Sequence, residues 1–121
     1  MYKGSHWVSR GGFHFIFKTT QHEPIFRGGL ADRLRESLMP LKEKHGAVDF
    51  TVRVFPYHIH VFLGPLRKTS PQAFGEEALA ILEEIVRSHY GVRDVFEKEF
   101  YAATVSDVSP EAVEKVLKGL Q

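Results

Sequence analysis

The sequence contains no cysteine, so neither a disulfide framework nor a thiolate metal site is open to it. It has no run approaching the roughly 20 apolar residues of a membrane span. The opening residues, Met1 to Trp7, lack the apolar core of a secretory leader. Charge of one sign is also missing: 16 Lys and Arg against 15 Asp and Glu leave a net +1 with the histidines neutral. Overall charge therefore argues neither for nor against nucleic acid, and any basic footprint must come from local clustering. These absences together point to a cytoplasmic protein. What is present is an ordinary globular composition, 43% hydrophobic and 26% charged. The 121 residues suit a single domain, 1–121, with one hydrophobic core.

The most informative stretch runs from Phe55 to Gly64, where His58 and His60 stand two apart in an otherwise apolar, β-prone run. In a strand, residues i and i+2 share a face, so both imidazoles project together while Ile59, Val61 and Leu63 line the other side. Tyr57 is expected on that apolar side as a packing aromatic. One reading is half of a metal site, two nitrogen ligands awaiting others. The plainer alternative is a pair of histidines hydrogen-bonded at a sheet surface.

Taken in order, Gly11 to Thr19 alternates, with Phe13, Phe15 and Phe17 on one face and His14, Ile16 and Lys18 on the other, which predicts a strand. Leu30, Leu34, Leu38 and Leu41 recur at helical spacing, and Pro40 should kink or end that helix before Gly46 stops it. Val48, Phe50, Val52 and Val54 alternate into a second strand that pairs with the histidine strand as a hairpin. Ser70-Pro71 opens a helix whose buried stripe is Phe74, Ala78, Ile81, Leu82, Ile85 and Val86, closed by Gly91. Glu99 to Ser106 reads as a fourth strand, and Ser109-Pro110 starts a last helix.

The order β-α-β-β-α-β plus a helix is the ferredoxin-like α+β plan, an antiparallel sheet with two helices on one face and an additional C-terminal helix. Its sheet order, 4-1-3-2, makes the first and third strands neighbours. If the odd-numbered phenylalanines face the helices, His14 joins His58 and His60 on the other face; a surface histidine is the plainer reading of His14.

Nearly the whole chain resembles the small single-tyrosine transposases of the insertion-sequence-200 type, members of the HUH nucleases. The likeness is carried by Gly12 to Thr19, His22 to Phe26, Val54 to Leu63 and Phe100 to Ser109. The resemblance implies metal-dependent cleavage and rejoining of single-stranded or hairpin DNA by a homodimer. It implies that His58 and His60, with a glutamine from the last helix, hold a divalent ion, Mg²⁺ or Mn²⁺. It also implies a tyrosine nucleophile on that helix, forming a 5′-phosphotyrosine.

Here the sequence departs from the family pattern. The expected nucleophile position falls on Val116, and the neighbouring register offers Leu117, so no catalytic residue is assigned. Gln121, at the chain end, is a candidate for the glutamine ligand, and His14 for a further one. Tyr57, Tyr90 and Tyr101 are best read as packing residues, and Tyr2 has no positional argument. The helix around Glu76, Glu77, Glu83 and Glu84 is acidic where the family tends to be basic, which opposes phosphate binding there. The candidate DNA contacts are Lys18, Arg27, Arg53, Arg67 and Lys68, with Trp7 or Phe62 for base stacking; solvated surface charge is the plainer reading of each cation.

The leading functional expectation is a transposase-family protein acting on such DNA through the histidine-held ion, impaired or inactive in strand transfer. The alternatives are a non-catalytic nucleic-acid-binding or regulatory module, and metal-assisted hydrolysis with water in place of tyrosine.

Overall fold

A computed structural model describes residues 12–66, 68–91, 95–105 and 108–120. Strand β1, Gly12–Lys18, follows the alternation of its sequence: Phe15 and Phe17 are fully buried on one side. Helix α1, Gly28–Leu38, buries Leu30, Leu34 and Leu38 along one stripe. Proline cannot donate the backbone hydrogen bond that would carry α1 onward. The chain accordingly breaks at Met39-Pro40 and resumes as the single-turn helix α2, Leu41–Lys44. Gly46, at φ +68°, turns the chain out of that helix in a conformation that costs glycine little.

Strands β2, Phe50–Val54, and β3, His58–Leu63, form the expected hairpin. Val48 falls outside β2 and is exposed, because the alternation continues in sequence beyond the point where ladder pairing begins. Helix α3, Pro71–Tyr90, starts as its sequence predicts, with the Ser70 hydroxyl accepting from the Ala73 amide at 3.1 Å. Strand β4, Tyr101–Val105, and helix α4, Pro110–Leu120, complete the chain. The Ser109 hydroxyl accepts the Ala112 amide at 3.4 Å at the start of α4.

All pairings are antiparallel and the sheet order is β2-β3-β1-β4. The ferredoxin-like α+β expectation is met, including β1 and β3 as central neighbours. One face of the sheet carries the main core, where Phe15, Phe17, Ile59, Val61 and Leu63 meet Leu30, Leu34, Phe74, Ala78, Leu82 and Val86. Phe100 leans into this layer, its ring centroid 5.9 Å from that of Phe15 and 5.6 Å from that of Phe17. Helix α3 reaches it through Gly75: a Cβ there would lie 2.2 Å from the Phe100 ring, so only glycine permits this approach.

The opposite face has a smaller cluster of its own. Val113 and Leu117 of α4 bury Phe62, with Phe55 packed alongside. The terminal helix therefore seals part of the face left free by α1 and α3. Among the described residues, no helix is long and apolar enough to cross a membrane.

Candidate metal and nucleic-acid site

Because β3 alternates strictly, turning Ile59, Val61 and Leu63 into the helix-side core forces His58, His60 and Phe62 onto the other face. On β1 the same logic places His14 there, opposite Phe62 in register, with Ile16 opposite His60. The three imidazoles form a row. His14 Nε2 lies 2.8 Å from His60 Nδ1, and His60 Nε2 lies 2.7 Å from His58 Nδ1.

Aromatic packing fixes the row in place. The His14 ring stacks on Phe62, with centroids 4.0 Å apart and planes 13° from parallel. Phe55 stands against both His58 and His60, at 5.0 Å and 5.3 Å. Phe62 and Phe55 are in turn held by Val113 and Leu117, so α4 acts on the imidazoles through two phenylalanines.

His60 is 2% exposed and His14 8%. Burial disfavours the imidazolium form, and positive charge on neighbouring histidines adds to that penalty. His60 is lowered to about 3, first by burial and then by His58 and His14. His14 is lowered to about 4 by burial. At neutral pH both rings are uncharged, and each offers one nitrogen lone pair.

This donor set suits a divalent ion. His60 Nε2 and His58 Nδ1, now 2.7 Å apart, are the two nitrogens that would hold it, with other ligands completing the shell. His14 is arranged differently, since it meets the other nitrogen of His60. Among the described residues, no three His, Asp or Glu side chains converge on one point.

The remaining candidates are scattered. Lys18 ends β1 in register with His58, half-buried on the imidazole face. Arg53, opposite His60 on β2, is ion-paired with Glu114 of α4. Arg27 is exposed and donates from Nε to the Pro24 carbonyl at 2.9 Å. Lys68 is exposed beyond the Leu63 end of β3, and its amide donates to the His45 carbonyl at 3.2 Å. Arg67, Gln121, Trp7 and Tyr2 lie outside the described residues. The acidic residues of α3 belong to the helix layer, across the sheet from the imidazoles, so their charge does not line this face.

Four aromatic expectations change, for Phe62 and Tyr57 and for Tyr101 and Tyr90, which are exposed where packing was expected. Phe62 cannot stack a base, because it is 2% exposed beneath α4. Tyr57 does not join the apolar side of β3. It sits in the hairpin turn closed by the Phe55 amide and His58 carbonyl at 2.8 Å, and its ring stands 4.8 Å from that of His58. Proline at position 56 ends the ladder pairing there and frees Tyr57 from the strand alternation. Tyr101 is exposed on the edge strand, its ring 6.1 Å from that of His14. The Tyr90 hydroxyl donates to the Ile25 carbonyl at 3.1 Å. Val116 is exposed on α4, turned away from the inward pair Val113 and Leu117.

The clamping role of Phe55 and Phe62 was missed by sequence reasoning. Phe62 could have been found, since it shares the parity of the two histidines.

This fold has known counterparts. The profile of the family described as "Transposase IS200 like" matches residues 7–118. The chain belongs to the IS200-like transposase family. Its fold is shared by a candidate transposase from Deinococcus radiodurans R1, at 16% identity and a TM-score of 0.69, covering 99% of this chain and 95% of that one. A second similar structure is a REP-associated tyrosine transposase bound to a REP hairpin, at 14% identity and a TM-score of 0.55. That comparison covers 96% of this chain and 68% of the other. No curated protein matches the sequence.

Proposed function

We propose that this transposase-family protein acts on single-stranded or hairpin DNA through a divalent ion held by His58 and His60. The observation that carries this reading is the approach of His60 Nε2 and His58 Nδ1 to 2.7 Å, with burial keeping the His60 ring uncharged. When bound, the ion supplies Lewis-acid polarisation of a scissile phosphate. His60 contributes a fixed, buried nitrogen, and His58 a half-buried one beside the Tyr57 ring at the hairpin turn. Nitrogen donors favour Mn²⁺ over Mg²⁺. Gln121 is a further candidate ligand by family resemblance. Lys18 is the cation best placed to meet a DNA phosphate beside His58, with Arg27, Arg67 and Lys68 more peripheral; Arg53 must first release Glu114.

Strand transfer in this chain is impaired, because the helix position expected to carry the nucleophile is Val116, whose side chain offers no hydroxyl. The protein acts as a homodimer in this reading.

The test is incubation with hairpin-ended single-stranded DNA and Mn²⁺, followed by denaturing electrophoresis and peptide mass mapping. Metal-dependent cutting or binding that is lost in His58→Ala is the expected result. A covalent protein–DNA species would overturn the impairment and name the tyrosine. Binding without cutting, unchanged by metal, would favour a regulatory DNA-binding module, and absence of any binding would remove DNA from the reading.

A further inference from the structure

The geometry points to His14 as a positioning residue for His60: it accepts the Nδ1–H of His60, which leaves the Nε2 lone pair of His60 turned toward His58. This rests on the metal reading above and extends it to a residue that does not itself touch the ion.

The argument starts from proton counting. A neutral imidazole carries one N–H and one lone pair, and the hydrogen bond made by one nitrogen decides the state of the other. In the row His14–His60–His58, the two 2.8 Å and 2.7 Å contacts use opposite nitrogens of His60. If His14 donates to His60 Nδ1, then Nε2 of His60 carries the proton and donates to His58, and neither nitrogen of that pair is free for an ion. If His14 accepts from Nδ1–H, the Nε2 lone pair of His60 faces His58, and the pair can share an ion once His58 takes the Nε2–H form.

Three features commit His14 to its place. It is buried, its ring is held flat by Phe62, and Phe62 is fixed under Val113 and Leu117. The partner of a metal-bound histidine at its second nitrogen orients the ring and raises its basicity, and loss of such a partner costs about 10- to 100-fold in metal affinity. Here the partner is another imidazole in place of the usual carboxylate or carbonyl. His14 cannot be a ligand to the same ion in this arrangement, since it occupies the nitrogen of His60 that points away from His58.

Two variants separate the hydrogen bond from the packing. His14→Phe keeps a flat ring for Phe62 to stack on but offers no acceptor. His14→Gln gives up the ring and offers a carbonyl oxygen to His60 Nδ1–H. The metal-free full chain, labelled with ¹⁵N, is examined by long-range ¹H–¹⁵N spectra, and Co²⁺ binding is followed by titration calorimetry.

We expect His60 of the metal-free wild type to be protonated on Nδ1, and to remain so in His14→Gln. His14→Phe should lose that preference and bind Co²⁺ about 10- to 100-fold more weakly, with His14→Gln within a few-fold of wild type. Protonation of His60 on Nε2 in the wild type would overturn the assignment, as would full Co²⁺ affinity in His14→Phe. Failure of the wild type to bind Co²⁺ at all would instead overturn the metal reading, and with it any role for His14 toward an ion.

Discussion

His45 and His60 are both buried imidazoles on opposite sides of one sheet, and their surroundings give them opposite capacities. His45 stands edge-on to Phe74 at 5.2 Å, with Nε2 2.8 Å from Glu77 Oε1. Lys44 joins the same carboxylate, and that hydrogen bond is the main reason the Glu77 carboxyl is held below its ordinary range, with His45 adding to it against a burial penalty. The other nitrogen of His45, Nδ1, is buried and finds no hydrogen-bond partner among the described residues. His60 meets imidazoles on both sides, and its Nε2 faces another potential donor. Burial alone does not mark a histidine for chemistry. What differs is the partner: among the described residues, Nε2 of His45 meets a carboxylate, whereas both nitrogens of His60 meet imidazoles.

The largest effect that could break this contrast is on metal binding. His60→Ala and His58→Ala should each lower Mn²⁺ or Co²⁺ affinity by about 100-fold or more, the loss expected when a direct ligand exceeds the effect of its supporting group. His45→Ala should leave that affinity unchanged while lowering stability by about 2 kcal/mol through lost packing and the lost hydrogen bond to Glu77. Calorimetric titration and urea unfolding on the same three proteins read both quantities. Equal metal loss in His45→Ala would dissolve the distinction.

Acid should act next, through the sheet-face site. Unfolded histidine takes up its proton near 6.5, whereas His14 and His60 in the folded protein resist until about 4 and about 3. Between those limits the unfolded chain binds more protons, so stability rises with pH. It is fully present above about 6.5 and falls as pH drops toward 3. The expected loss is on the order of a few kcal/mol, and His60→Phe should flatten the slope of unfolding free energy against pH. A slope unchanged in that variant would mean the row does not govern acid sensitivity.

On the helix side, beside the Phe74 that backs His45, Gly75→Ala should destabilise by about 1–3 kcal/mol. The new methyl would meet the Phe100 ring, which is itself wedged on Phe15 and Phe17. The gain in helix propensity, about 1 kcal/mol, offsets only part of that. Thermal unfolding measures it, and the metal site should be unaffected. The smallest effect is at Arg53, whose pair with Glu114 is half-exposed. Glu114→Gln should change stability by less than about 1 kcal/mol. It should tighten single-stranded DNA binding at low salt by freeing the guanidinium, with fluorescence anisotropy as the measure.

The strand parity of Phe15, Phe17, Ile59, Val61 and Leu63 is enough to place His14, His58 and His60 on one face from the sequence alone, and the helix signals at Ser70, Pro71 and Gly91 are equally plain. Parity, however, is only a two-way choice. It says which side a ring is on and nothing about which nitrogen faces which neighbour. The nitrogen-to-nitrogen order of the row depends on rotamers set by Phe55 and Phe62, and those depend on where α4 lands, a contact more than 40 positions away in sequence. Tyr57 was misplaced for a related reason, since strand parity was extended one residue into a turn that Pro56 had already begun.

The strict alternation of β3 has a consequence for how such a protein changes over generations. Its odd-numbered residues are constrained by the core, and its even-numbered ones by whatever the outer face does, so the two sets can drift under separate selection. A substitution on the outer face therefore need not disturb the core that supports it.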